Sequence, residues 1–135
     1  MKSFPQVVLS WYQYHGRKLP WRETTDPYKI LVSELMLQQT QVDRVAPKYV
    51  TFLEQFPTLD ALATASTADV LRAWSGLGYN RRALYLHWCA KALRETHHGT
   101  FPRSVAELQT LPGIGPYTAA AILSFAFNEN VVVVD

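Results

Sequence analysis

Cysteine is nearly missing from this sequence: Cys89 is the one example in 135 residues. A single thiol cannot close an internal disulfide and sets no metal-ligand spacing. A buried, inert thiol is the expectation for it. Long apolar runs are missing too. Those present are short, such as "VVL" and "VVVV", and none could span a bilayer. The N-terminus shows no signal-peptide core or cleavage site. No membrane role is therefore expected, and the location read from this is intracellular, the cytoplasm in a bacterium. Low-complexity segments are absent, and no domain boundary is visible. Charge is sparse, with 18% charged residues and a net charge of +2. That permits nucleic acid as a partner without arguing for it. Basic groups do gather locally in "HGRKLPWR" and "NRRALYLH", where solvated faces are the simplest reading.

What is present is a globular composition, 48% hydrophobic, in a chain long enough for one domain with a real core. The pattern reads as helix after helix, so the class is all-α. Residues 4–15 form an amphipathic, aromatic-rich stretch. "KLPWRETTDP" is a linker broken by Pro20 and Pro27. Asp26 and Pro27 suit an N-cap and first helical position, opening a helix to about Gln39. Helices follow at about 42–55, from Thr58, over 67–74, at about 80–97, after Ser104, and from Pro116 to Phe127. Ser66 with Asp69, and Ser104 with Glu107, have capping-box spacing. "VVVVD" is strand-like, but one strand makes no sheet. His97 and His98 end a helix, where a dipole contact is expected rather than metal binding. Trp11, Trp74 and Trp88 read as core.

Two stretches carry chemistry. "LPGIGPYTAAAI", residues 111–122, places Gly113 and Gly115 where the backbone can take positive φ or admit another backbone closely. Pro116 suits a first helical position. The free N–H groups there, with the helix dipole, make a neutral site for phosphate. The second stretch is "ILVSELMLQQTQV", residues 30–42. Helical spacing sets Glu34 beside Ile30, Leu31, Leu37 and Gln38. Three apolar neighbours would desolvate its carboxyl and raise its pKa.

"LPWR" (19–22), "DPYKILVSELMLQQTQV" (26–42), "GLGYNRRAL" (76–84), the hairpin string and Asp135 occur in one order along nearly the whole chain. In this the sequence resembles the helix-hairpin-helix DNA glycosylase superfamily and, within it, the A/G-specific adenine glycosylases (MutY). The resemblance implies base excision repair of adenine mispaired with 8-oxoguanine or guanine in double-stranded DNA. It implies Glu34 as general acid and Asp135 as stabiliser of the sugar cation, electrostatically or through a covalent adduct. Tyr117 stands where bifunctional relatives carry a lysine, so hydrolysis without efficient strand cutting is implied. Trp21, Arg22 and Leu37 become adenine-pocket residues. Gln39 and Tyr79 become wedges in the base stack, with Thr40 beside the opposite base. Gly113 and Gly115 become DNA-backbone contacts in a hairpin of about 104–127.

The family pattern continues past Asp135 with helices completing a second module. Four cysteines for a [4Fe–4S] cluster and a domain reading 8-oxoguanine come later still. A six-helix module with an incomplete second module, no cofactor or metal held by this chain, and a monomer are therefore expected. Activity of the 135 residues alone is not required by the resemblance. Two other readings remain at this point. One is an endonuclease III-like pyrimidine glycosylase and lyase, which Tyr117 and "SELMLQQTQ" oppose. The other is a DNA-binding module without chemistry, which would not need Glu34 on an apolar face.

Overall fold

The computed structural model describes residues 20–21, 24–38, 40–78 and 80–129. The expected helix at 4–15, most of "HGRKLPWR", and Arg22, Gln39, Tyr79 and Asp135 lie outside the described residues. Within them the fold is all-helical: α1 Pro27–Leu37, α2 Val42–Gln55, α3 Leu59–Thr64, α4 Thr67–Trp74, α5 Arg81–Thr96, α6 Val105–Leu108 and α7 Pro116–Phe127.

Most helix starts are fixed by local chemistry. The Asp26 carboxylate accepts from the Tyr28 N–H, with Pro27 in the first turn. Thr58, Ser66 and Ser104 hydroxyls accept from the N–H groups of Ala61, Asp69 and Glu107. Each such bond satisfies a donor that has no partner within the helix. Helix α2 continues through Pro47 on an exposed face. Helix α5 stops at His97, after which His98 and Gly99 both take positive φ.

Helix α1 is the axis of the domain. It packs on α7, α2 and α5, while α3 and α4 pack on α5, and α6 on α7. Its burial is nearly all-round: Tyr28, Ile30, Leu31, Val32, Ser33, Leu35 and Met36 are buried. Helix α7 meets it with Ala119, Ala120, Ala121, Ile122 and Leu123, also buried. The three alanines let the two helices approach closely. Aromatic edges fill the space beyond: Phe52 lies 5.0 Å from Phe56 and 6.1 Å from Trp74, ring to ring. The Tyr28 hydroxyl donates to the Phe56 carbonyl at 2.7 Å, tying α1 to the end of α2. Each large apolar side chain sealed this way contributes about 1.5–3 kcal/mol.

Two sequence expectations need correction. Trp88 is not core: it is 45% exposed on α5, edge-on to Tyr85 at 5.7 Å. "NRRALYLH" is not a solvated basic face either. Arg81 is exposed, but Arg82 is 8% exposed and His87 is buried. Arg82 faces inward with Leu86, Cys89 and Leu93 on one helical stripe, and His87 is buried on its flank with Ala83 and Ala90.

Candidate active site

Glu34 sits in the middle of α1, flanked by buried Ser33 and Leu35. It is half-buried. No ion pair or hydrogen bond among the described residues holds its carboxylate form. Desolvation alone pushes its pKa up to about 7. A carboxyl of this kind keeps a large share of its proton at neutral pH and can still reach a ligand from its accessible side. Ser33, next to it, turns its hydroxyl back onto the Ile30 carbonyl at 2.9 Å.

The glycine hairpin is seated beside this helix. Gly113 has φ +79, and a Cβ built on it would meet the Tyr85 Cβ at 2.8 Å and the Leu35 Cδ2 at 3.9 Å. Only glycine fits between α1 and α5 at that point. The Ile114 N–H returns to the Leu111 carbonyl, closing the turn. Gly115 corrects the expectation for the pair. Its φ is −94, an ordinary extended conformation at the N-cap of α7. A Cβ there would meet nothing within 4 Å. Its bare face is open space, at the end of α7 where the first N–H groups lack intrahelical acceptors. Tyr117, second residue of α7, is half-buried on the helix that packs on α1.

The remaining candidates separate. Leu37 is half-buried at the end of α1, packed against the core. Trp21 is buried in the core, edge-on to Tyr49 at 5.3 Å. Thr40 is half-buried, and its hydroxyl accepts from the Arg82 guanidinium at 2.8 Å. That guanidinium is the feature that sequence reasoning missed. It donates to the carbonyls of Leu35 and Met36, both at 2.8 Å, to that of Gln38, and to Gly78 at 3.3 Å. The signal available was the helical stripe Arg82, Leu86, Cys89 and Leu93, which puts the arginine on the buried side of α5.

Residues 32–135 match the family model described as HhH-GPD superfamily base excision DNA repair protein. The chain belongs to this superfamily. Among HhH-GPD relatives, it is similar to an adenine DNA glycosylase of Mycobacterium tuberculosis, 51% identical over 129 residues, covering 95% of this chain and 42% of that protein. It is also similar to the adenine DNA glycosylase of Buchnera aphidicola subsp. Baizongia pistaciae, 48% identical over 133 residues, covering 98% of this chain and 38% of the relative. The chain thus spans about two fifths of the length of these relatives. Among solved structures it resembles a thermostable thymine-DNA glycosylase, with TM-score 0.79 and 29% identity over 92% of this chain and 58% of the other. The iron–sulfur cluster that the resemblance implies elsewhere in the superfamily does not fit the residues here. It takes four thiolates. Cys89 is buried and its thiol is pushed up to about 12.

Proposed function

We propose that the chain is the catalytic part of a monofunctional adenine DNA glycosylase. Its substrate would be adenine mispaired with 8-oxoguanine or guanine in double-stranded DNA, and it would act as a monomer. The observation that carries this reading is the Glu34 carboxyl, lifted to about 7 by desolvation on the helix whose Leu35 approaches Gly113 of the hairpin. The shared name of relatives near half identity supports it.

The chemistry needs such a group. Adenine leaves deoxyribose poorly as an anion. The Glu34 O–H gives its proton to a ring nitrogen of the base, and the C1′–N9 bond breaks with its electron pair going to the base. A cation develops on the sugar and water adds to C1′, so a proton returns to the carboxylate. Asp135 stabilises the cation, electrostatically or as a covalent adduct, in the manner of paired glycosidase carboxylates. In this reading Tyr117 takes the position that a lysine amine holds in a lyase, and contributes to the site beside the aspartate. Residues 92–135 hold no lysine, and the hairpin position at 117 is a tyrosine, which disfavours the endonuclease III-like reading. The base must leave the stack before Glu34 reaches it. Gln39 and Tyr79 fill the gap, Thr40 attends the opposite base, and Arg22 and Leu37 shape the adenine pocket; Trp21, sealed in the core, can only support that pocket from behind. The open face of Gly115 and the start of α7 receive a phosphate.

Single-turnover adenine release from a duplex with adenine opposite 8-oxoguanine tests this, with enzyme in excess. Wild type should release the base, and E34Q should slow release by about 10²–10⁴-fold with duplex binding kept. Release that survives E34Q would contradict the assignment of the acid. Binding without any release by wild type would favour the DNA-binding module.

A further inference from the structure

Arg82 is an arginine spent on backbone. Its guanidinium is buried and donates to α1's last carbonyls at Leu35 and Met36. It also reaches two loops. From residues 38–41 it takes the Gln38 carbonyl and the Thr40 hydroxyl, and from residues 75–80 it takes the Gly78 carbonyl. The second loop is held from below as well. Gly76 and Gly78 both take positive φ, Leu77 is buried, and the Trp74 indole N–H donates to Gly78 at 3.3 Å. Arg44 of α2 donates to the Gly76 carbonyl. The Arg82 guanidinium lies 5.4 Å from the Trp74 ring centroid, so the cluster is continuous.

These contacts join two stretches distant in sequence: the helix bearing Glu34 with the loop that follows it, and the loop that precedes α5. We infer that Arg82 is a positioning residue that sets the spacing between the two loops and the Glu34 helix, so that base extrusion delivers adenine to the acid. The inference rests on the proposed function, because that reading makes the two loops the duplex-opening elements. The two terminal nitrogens of a planar fork divide these acceptors, Nη1 facing the carbonyls of Leu35, Met36 and Gln38 and Nη2 facing Thr40 and Gly78. A lysine, with three donors on a point charge, cannot reproduce the geometry. Arg82 does not touch the substrate; it acts through the backbone it holds.

The test uses the whole chain and a duplex with 2-aminopurine, a fluorescent adenine analogue quenched by stacking, opposite 8-oxoguanine. Affinity is read by anisotropy of an end label, extrusion by 2-aminopurine brightening, and base release from the matching adenine duplex across pH. Circular dichroism confirms that R82M, R82K and T40V are folded at the assay temperature. T40V removes the Arg82–Thr40 bond and the hydroxyl's own 3.4 Å bond to the Gln38 carbonyl, and it keeps the test valid if R82M does not fold, with anisotropy reading any direct loss of a Thr40 contact to DNA. The expected result is nearly unchanged affinity, reduced brightening, and release slowed about 100-fold in R82M. R82K gives little rescue, T40V is intermediate, and the pH midpoint of release stays at the wild-type value. Wild-type brightening and release in folded R82M and R82K would make Arg82 purely structural and overturn the inference. A shifted pH midpoint with normal brightening would overturn it too, by placing its effect on Glu34 itself. Affinity and brightening lost in proportion would make Arg82 a DNA contact instead. If wild type brightens the probe but releases no base, the proposed hydrolysis fails alone, and brightening in the variants still decides on Arg82. If wild type does not brighten the probe, the inference falls.

Discussion

A carboxyl raised by burial has a consequence for stability as well as for chemistry. Below about pH 4.5 the Glu34 carboxyl is protonated in folded and unfolded chain alike. As pH rises, the unfolded chain releases that proton first while the folded chain keeps it up to about 7. Stability therefore falls with rising pH across this window, and the loss is complete above it. Glutamine mimics the neutral acid at every pH. E34Q should match wild type near pH 4 and exceed it by about 3 kcal/mol near pH 8. Urea denaturation at the two pH values checks this. His87 has the opposite slope. Its Nε2 lies 3.0 Å from the Ala65 carbonyl, and its Nδ1 is buried without a hydrogen bond. Desolvation first, and then Lys91, hold its pKa below 6.5. As pH falls below 6.5 the unfolded chain takes a proton that the folded chain refuses, so stability drops on the acid side. A histidine ring titration by NMR should place His87 below the ordinary value.

Among the elements, the hairpin separates two glycines that look equivalent in sequence. Gly113 combines positive φ with a 2.8 Å approach to a Cβ that cannot swing away. G113A should cost about 2–4 kcal/mol through strain and overpacking. Gly115 has neither constraint, so G115A should cost under ~1 kcal/mol yet weaken duplex binding, because a methyl would cover the open N-terminal face of α7. Denaturation and anisotropy titrations of both variants read the split. Helix boundaries were legible wherever one side chain meets a backbone group a few residues away. Asp26, Ser66, Ser104, Pro27 and Pro116 all mark their helices. The conformation of Gly115 was not, since "GxG" does not say which glycine bends.

At the scale of the whole molecule, the all-α class and the apolar flank of Glu34 followed from periodicity, which is a local property. The Arg82 cluster did not. Its acceptors at Leu35, Met36 and Gln38 are backbone carbonyls lying 44–47 residues away, and a carbonyl leaves no mark in a sequence. The exposure of Trp88 was hidden for a related reason, because aromatic identity does not say which side of a helix the fold covers. The same tertiary arrangement dries Glu34: α7, α2 and α5 close around α1 and leave that one carboxyl in its middle turn. Carboxyl ¹³C titration of labelled protein, with the Glu34 resonance assigned by its loss in E34Q, measures this directly. A midpoint of about 7 is expected. A midpoint near the ordinary 4.5 would contradict it, because the folded chain would then hold no proton on Glu34 to give at neutral pH.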